Sequence, residues 1–278
     1  MADQTPPPPP PEPQMPAPPP STPPAGYYEQ GAAPSAGWGA PPGGYAPPTQ
    51  WRSLRGLTKA LTVLFLVHIG LSVLLIIGVI NHLSVLNDKE QGGFVFDTKA
   101  VNDAQTFPAA MLILTGLVGI ATFVLLVIWL YRAAKNNEAL GRQNPKLGPG
   151  WAIGGWFIPL AWWVIPFIVF DDVWRGSDPS IPRGDPSWRR SKTLPAIWAW
   201  LVTAVIYFIP NWIASSSGDV RADEPDKVRR DDVLRVVAHV AGIIAAVLAI
   251  VVIRKIAARQ EECLRAQQAA VGSQPPAV

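Results

Sequence analysis

The chain has 278 residues, a formal net charge of +3 and only 15% charged residues, whereas soluble globular domains carry about 25%. Apolar residues make up 49% of it, and it contains 31 prolines, 12 tryptophans and one cysteine. This composition excludes a soluble enzyme with an ordinary surface, a secreted disulfide scaffold and a chain that is disordered throughout. It predicts an all-α integral membrane protein.

Residues 1–50 form a tail that is rich in proline and glycine and has no long apolar run. Consecutive prolines fix φ and lack amide hydrogens, so we expect polyproline II and disorder in this tail. No signal peptide is visible, which predicts a cytoplasmic amino terminus. Two interpretations stay open: a docking tail that binds a cytoplasmic protein partner, and a semi-rigid spacer.

Four apolar stretches are long enough to cross a bilayer as helices. Each has 21 to 24 residues, and a helix of about 20 residues crosses the hydrocarbon layer. The stretches are 57–80, 108–131, 194–214 and 233–253. We therefore predict a helical membrane domain over residues 51–260, followed by a cytoplasmic C-terminal tail over residues 261–278.

A fifth apolar stretch, 151–170, differs from these spans because Pro159 and Pro166 interrupt it. Each proline removes an amide N–H and disturbs the preceding turn. If the stretch does not cross, 16 lysines and arginines lie on the cytoplasmic side and seven outside; if it crosses, the counts are 12 and 11. The positive-inside rule thus favours a re-entrant or interfacial segment, with both chain ends in the cytoplasm.

Two histidines lie inside the predicted spans. His68 is near the bilayer centre, and His239 is about 9 Å from the outer end of the last span. Ionisable groups within a bilayer are candidates for function, so a proton or ion relay is one interpretation. We favour the other, in which each histidine satisfies a structural hydrogen bond between helices.

A basic cluster follows the second span. Its members are Arg132, Lys135, Arg142 and Lys146. One interpretation is a juxtamembrane collar that binds anionic lipid headgroups, at about 1 kcal/mol per charge. The alternative is that these charges only determine the topology. The helix is expected to continue from Tyr131 to Leu140 and to end at Gly141.

No residue pattern in the chain predicts catalysis, a metal site or a cofactor. Asp171 and Asp172 diverge by about 100° on a helix, so an ion pair with Arg175 is favoured over a metal or catalytic role. Cys263 is expected to be a free thiol rather than a palmitoylation site. The basic residues lie beside apolar spans rather than in one patch with aromatic residues, which argues against nucleic acid as a partner.

Residues 129–175 contain a motif of tryptophans, prolines and polar side chains. Its members are Trp129, Arg132, Asn136, Trp151, Trp156, Pro159, Pro166 and Trp174. The motif resembles the bacterial family called domain of unknown function 4328, and the layout of spans over about 51–260 is similar. The resemblance implies a multi-pass protein of the bacterial plasma membrane, and it implies no reaction, substrate or cofactor.

These observations predict four transmembrane helices, a tryptophan- and proline-rich segment that does not cross the membrane, and a disordered tail. We predict a non-enzymatic membrane scaffold or regulatory protein whose tail binds a partner and whose collar binds anionic lipids. The alternative is a small transporter or channel, in which segment 151–170 lines a cavity and His68 or His239 gates protons.

Overall fold

The computed structural model of the chain describes residues 50–91, 98–159, 161–216 and 224–272. The predicted disordered tail, residues 1–50, lies outside this part apart from its last position. Within the described ranges the regular structure is helical and contains no strand. The prediction of an all-α protein is confirmed.

Within the described residues, four long helices and two short ones form the membrane domain. In chain order they are α1 (Arg55–Gln91), α2 (Thr98–Ala139), α3 (Trp151–Gly154), α4 (Ile165–Gly176), α5 (Pro195–Ser216) and α6 (Pro225–Gly272). Helices α1, α2, α5 and α6 are long and apolar enough to cross a membrane. The four predicted spans are therefore confirmed, and α1, α2 and α6 extend well beyond their apolar runs.

Helix α2 ends at the predicted glycine. Gly141 has a φ of 76°, which is the left-handed conformation that glycine adopts without a Cβ penalty. Its N–H donates to the Glu138 carbonyl, and the Arg142 N–H donates to the Asn137 carbonyl. These two bonds form a Schellman motif. Helix α6 extends to Gly272, so residues 261–272 of the predicted C-terminal tail are helical.

Segment 151–170 is broken, as its prolines predict. Helix α3 has four residues and α4 has 12, and a 3-10 turn at Ala161–Trp163 lies between them. Pro166 stands in the first turn of α4, where its missing N–H has no helical partner to lose. Since α4 is about 18 Å long, it is too short to cross a hydrocarbon layer of about 30 Å.

The long helices pack in the order α2, α1, α6, α5. Helix α1 packs against α2 and α6, and α5 packs against α6. Within the described residues, α2 and α5 have no extended contact with each other. Helix α4 contacts α2, α5 and α6, and α3 contacts α2. The broken segment therefore occupies the space between α2 and α5.

Glycines allow two of these helix pairs to approach closely. A Cβ on Gly78 of α1 would lie 2.7 Å from the Phe107 ring of α2. A Cβ on Gly242 of α6 would lie 2.8 Å from the Tyr207 ring of α5. Association of helices in lipid depends on such close packing, because lipid chains are as apolar as the side chains themselves.

Buried side chains are concentrated at the end of the bundle where α1 and α5 begin, which we call the α4 end. Aromatic rings join α2, α4 and α5 there. Trp129 stacks on Phe170 with 5.9 Å between ring centroids, and Phe170 meets Trp200 edge to face at 5.0 Å. All three are buried. These contacts fix α4 between α2 and α5.

Candidate functional site

An aromatic cavity of about 310 Å³ lies between α2 and α5, beside the broken segment. Nine aromatic side chains line it, among them Trp156, Trp162, Trp163 and Phe208. Helices α1 and α6 contribute to its inner wall, where α6 presents glycine and alanine residues. The cavity is therefore a concave apolar site of the kind that binds small molecules.

The broken segment reaches this cavity because its two halves turn back on each other. A Cβ on Gly155 would collide with Ile165, so this close turn needs a glycine. Trp162 and Trp163 meet edge to face at 5.1 Å, and both pack against Phe208 of α5 at 5.5 and 4.9 Å. Phe208 lies about 20 Å along α5 from its first residue. The tip thus enters the bundle with the geometry of a re-entrant segment.

The cavity is not closed off from the surface of the bundle. Among the described residues, α2 and α5 have no extended contact with each other. Two lining residues, Phe123 of α2 and Trp162 of the broken segment, are 39% and 37% exposed. Nearby, Ile120 of α2 is exposed and apolar, so this side of the bundle is suited to hydrocarbon rather than water.

The structure brings His68 and His239 to the same tyrosine. His68 lines the cavity, and its ring meets the Tyr207 ring edge-on with 5.9 Å between centroids. The Tyr207 and His239 rings are 5.7 Å apart on the other side. His239 is fully buried and lies 3.1 Å from the Ser72 hydroxyl through Nδ1, which is the interhelical type of bond expected for it.

Asn136 of the motif holds the chain that precedes α1. Its Oδ1 accepts from the Arg52 N–H at 3.0 Å, and its Nδ2 donates to the Arg52 carbonyl at 2.8 Å. The same Nδ2 donates to Gln260 Oε1 of α6. Gln260 in turn donates to the Ala133 carbonyl and to Asn137 Oδ1. Buried amides are thus paired across three parts of the chain.

Arg142 fastens the loop after α4 to the end of α2. Its guanidinium is 2% exposed and donates to four backbone carbonyls at 2.7 to 2.9 Å. The acceptors are Gly176, Asp178, Ile181 and Pro182. A guanidinium that is buried and engaged in this way is not available to a lipid headgroup. The structure therefore removes Arg142 from the predicted collar.

The other collar residues lie closer to the surface. Arg132 is half-buried, Lys135 pairs with Glu138 at 2.9 Å, and the half-exposed Lys146 lies 3.7 Å from Asp171. Their binding to headgroups stays a prediction. Further exposed basic side chains at the α4 end lie just before α1, on α1 and on α6, and sequence analysis did not single them out. They are Arg52, Arg55, Lys59, Arg254 and Lys255.

The adjacent carboxylates have separate partners. Asp171 forms the expected ion pair with Arg175, at 2.8 Å. Asp172 accepts from the Lys146 N–H at 2.7 Å. Burial raises the pKa of Asp172 above its ordinary value, although the Lys146 N–H and charge oppose the rise. In the part of the chain that the structure describes, no group of three or more metal-ligating side chains comes together.

Two motif tryptophans connect elements at the α4 end. Trp129 donates from Nε1 to the Thr58 hydroxyl of α1 at 2.9 Å. Trp174 donates to the Lys192 carbonyl at 2.9 Å, and the Arg259 guanidinium of α6 lies 4.1 Å from its ring centroid. The second contact is a cation–π interaction. Both indoles therefore act in packing between elements.

The remaining motif residues belong to the broken segment. Trp156 lines the cavity, meets Phe123 edge to face at 5.2 Å and donates to the carbonyl one turn back in its own segment. Pro166 is buried, whereas Trp151 and Pro159 are exposed. The motif thus divides between the cavity wall and the polar contacts of the α4 end.

A buried contact between a histidine and an aspartate at the opposite end of the bundle was missed by sequence analysis. His82 Nδ1 lies 2.6 Å from Asp232 Oδ2, and both side chains are at most 3% exposed. Arg235 lies 3.2 Å from the other carboxylate oxygen. The pair joins α1 to α6. His82 and Asp232 lie just outside the predicted spans 57–80 and 233–253. Their positions at the edges of two spans were the one feature of the sequence that could have predicted a contact between them.

The helices and the cavity define a class of protein: a four-helix membrane bundle with a re-entrant segment between its two outer helices. Residues 94–258 match the model of the family described as Domain of unknown function (DUF4328). Because the match covers more than half of the chain, the protein belongs to this family, as the motif in residues 129–175 implied. No curated protein and no solved structure matches the chain. The matched region includes the broken segment and α5, whereas His68 of α1 precedes it.

Proposed function

We propose that this chain is a non-enzymatic regulatory protein of the bacterial plasma membrane that binds a lipophilic molecule in its aromatic cavity. The observation that carries the proposal is that the aromatic cavity lies between two helices able to cross a membrane, α2 and α5, and is lined in part by the exposed side chains of Phe123 and Trp162. In a bilayer these exposed apolar side chains face hydrocarbon. A molecule dissolved in the membrane therefore reaches the cavity without passing through water.

The broken segment provides a route by which occupancy reaches the α4 end. Phe167 of α4 lines the cavity, and Phe170, one turn later, stacks on Trp129. The next turns of α4 contact Asn137 and Arg142 through backbone carbonyls. A ligand that binds one position of α4 better than another shifts the population of these contacts. This coupling is what makes the proposed role regulatory.

The proposal is tested by filling the cavity. Gly119 lines it, and a Cβ at this position would have no neighbour within 4 Å. Gly119→Leu therefore places a side chain in the space without disturbing the walls. Gly116→Leu is the matched control, because Gly116 lies one turn away on α2 and has no close neighbour either.

The readout is tryptophan fluorescence in nanodiscs whose lipids carry bromine at the middle of the acyl chain. Four of the cavity residues are tryptophans, so chains that enter the cavity quench them. We expect Gly119→Leu to reduce this quenching and Gly116→Leu to leave it as in the wild type. Equal quenching in all three proteins contradicts the proposal.

Transport is the second candidate, and the observation in its favour is that His68 borders the cavity and shares Tyr207 with His239. Discontinuous segments that line a cavity occur in transporters. The test is proton flux in proteoliposomes, comparing the wild type with His68→Ala and His239→Ala. Flux that the two substitutions abolish supports transport. Background flux in all three proteins contradicts it.

We also propose that both chain ends are cytoplasmic, so that the α4 end lies on the cytoplasmic side. Labelling of single cysteines in intact cells tests this, after Cys263→Ser. Ser180 at the α4 end and Lys227 at the opposite end are both exposed. We expect Ser180→Cys to be protected and Lys227→Cys to be labelled. The reverse pattern contradicts the proposed orientation.

Anionic lipids are the proposed partners of the three remaining collar residues. The support is their position directly after the apolar part of α2, on surface or half-buried sites. Native mass spectrometry of protein released from phosphatidylglycerol bilayers measures retained lipid. Replacing Arg132, Lys135 and Lys146 together by glutamine is expected to lower it, whereas Lys192→Gln serves as a control. Unchanged retention contradicts the collar.

A cytoplasmic protein partner of the proline-rich tail is the last part of the proposal. Its support is the run of prolines at residues 6–11 together with aromatic residues later in the tail. The tail lies outside the described residues apart from residue 50. A partner retained by the full chain, and lost when residues 6–11 become alanine, supports docking. The spacer interpretation holds if no purified cytoplasmic protein distinguishes the two chains.

A further inference from the structure

The chemistry of the cavity wall specifies a narrower ligand class, and this step rests on the function proposed above. We propose that the ligand is a lipid with a flat ring that carries carbonyl or hydroxyl oxygens, the quinone and quinol class. The ring would occupy the aromatic cavity, with one ring oxygen hydrogen-bonded to His68. Its apolar chain would extend toward the exposed side chains of Phe123 and Trp162.

The composition of the wall favours a ring over a plain acyl chain. Flexible aliphatic side chains are sufficient to surround an acyl chain. Here nine lining residues are aromatic, and Leu126 is the one aliphatic residue larger than alanine among the lining residues that the structure describes. Aromatic rings attract other flat rings in edge-to-face and offset stacks at 4.5 to 7 Å.

The rings of the wall already use this geometry with one another. Trp162, Trp163 and Phe208 form a mutual edge-to-face cluster with centroids 4.9 to 5.5 Å apart. Two of the three belong to the broken segment. A flat ligand beside these three rings would make edge-to-face contacts of the same kind that they make with one another.

The polar groups of the cavity wall are the His68 ring, the hydroxyls of Thr122 and Tyr207 and the indole N–H groups of the four tryptophans. Thr122 already donates its hydroxyl to the Val118 carbonyl at 2.7 Å, and an indole N–H is a donor only. His68 meets the Tyr207 ring edge-on, and no hydrogen bond to its ring nitrogens occurs among the described residues. A neutral imidazole has one donor and one acceptor nitrogen. It is therefore able to donate to a quinone carbonyl and to accept from a quinol hydroxyl.

Small residues on α5 and α6 leave room for a ring beside His68. Ala204, Ala245 and Ala246 line the inner wall, and larger side chains at these positions would fill the space. The exposed lining residues Phe123 and Trp162 belong to α2 and to the broken segment. A molecule with its polar ring beside His68 and its chain toward these exposed residues matches this distribution.

The experiment compares two probes that differ only in ring oxygens. The protein is held in nanodiscs for both measurements. Binding of decyl-benzoquinone is measured by its quenching of tryptophan fluorescence. Binding of decylbenzene is measured by how far it reduces that quenching in competition. His68→Phe keeps a ring of similar size and removes both nitrogens. We expect it to weaken quinone binding about 3- to 10-fold, as the loss of one hydrogen bond does, and to leave the competition by decylbenzene unchanged.

His68→Gln is the rescue variant, because its amide retains a donor and an acceptor; it is expected to bind the quinone within about 3-fold of the wild type. Equal loss for both probes in His68→Phe, or no loss for either, overturns the assignment of His68 and the quinone class. The function proposed above survives that result if Gly119→Leu still reduces the quenching by brominated lipid. If Gly119→Leu leaves the quenching by brominated lipid unchanged, both proposals are overturned.

Discussion

The α4 end and the aromatic cavity differ in how their buried side chains are packed. At the α4 end, buried polar side chains such as Arg142, Asn136 and Gln260 have partners in the backbone and in one another. In the cavity, aromatic rings surround about 310 Å³ that the chain leaves unfilled. The contacts of the first region are directional, whereas those of the second depend mainly on shape.

This difference explains why the cavity stays open. Protein interiors normally pack as densely as organic crystals. A cavity whose walls were not held in place would therefore collapse. Here α4 is held on one side by Trp129 stacking and on the other by the carbonyl contacts of Arg142. These contacts therefore set the depth of the broken segment in the cavity-containing structure. Four substitutions test this contrast, taken from the largest expected effect to the smallest.

Arg142→Gln is expected to cause the largest loss of stability. It removes a buried guanidinium from four carbonyls, and it leaves several of them without a donor. We expect a loss of about 3–5 kcal/mol in the free energy of unfolding, measured by denaturant titration in detergent micelles. Arg132→Gln, at a half-buried site of the same helix, is the control. Equal losses for both would contradict the fastening role of Arg142.

Asn136→Ala is expected to cost about 2–3 kcal/mol of unfolding free energy. The substitution leaves the buried Gln260 amide and the Arg52 backbone without their partner, and each unsatisfied buried group costs about 1–3 kcal/mol. The same titration measures the loss, with the exposed Gln268→Ala as control. A change below about 0.5 kcal/mol would show that the amide network contributes little.

Gly242→Ala tests packing inside the membrane, with an expected loss of about 1–3 kcal/mol. The new Cβ lies 2.8 Å from the Tyr207 ring, so α5 or the ring must move. Gly119→Ala is the matched control, because its Cβ meets no atom within 4 Å. Thermal melting of the two variants separates them. Similar melting temperatures would argue against close packing of α5 on α6.

Asp178 gives the stability of the α4 end a dependence on pH, which is the smallest of the four expected effects. Burial opposes its ionisation, but hydrogen bonds from Ser180 and Ser191 and the Arg259 charge hold the pKa of Asp178 below its ordinary value. A lowered pKa in the folded state stabilises the protein above the unfolded pKa, near 3.9, and this contribution is lost as the pH falls through the folded pKa.

The expected result is therefore a loss of stability on acidification below about pH 4 that is smaller in Asp178→Asn. Asp178→Asn should also be less stable than the wild type at neutral pH. Asp185→Asn is a useful comparison, since its carboxylate caps the short turn at Pro186–Arg190 and is also held at a low pKa by the Ser187 N–H. Parallel pH curves for the wild type and Asp178→Asn would contradict this assignment.

The four spans and the broken segment were predictable from sequence because each depends on local chemistry. Apolar runs of sufficient length define the spans, and Pro159 and Pro166 interrupt segment 151–170 wherever it packs. Gly141 ends α2 for a similarly local reason, since glycine tolerates a positive φ. Features fixed within one or two turns of chain can be predicted without knowledge of the fold.

The sites depended on contacts that sequence does not give. Arg142 looks like one member of a basic cluster, and only the position of the loop after α4 shows that its side chain is buried. The pairing of His82 with Asp232 joins residues that are 150 positions apart. His68 was a visible candidate, but the aromatic cavity beside it is assembled from five different segments of the chain.

Because the broken segment lies between α2 and α5, it determines how far apart these two helices are. Among the described residues, α2 and α5 both contact the broken segment and have no extended contact with each other. The sizes of side chains such as Trp162 and Trp163 therefore set the distance between these two helices. Exchanging them for smaller residues enlarges the space between α2 and α5 without altering a membrane-crossing helix. Related chains with other residues at these two positions are therefore expected to bind ligands of different size within the same bundle of four helices.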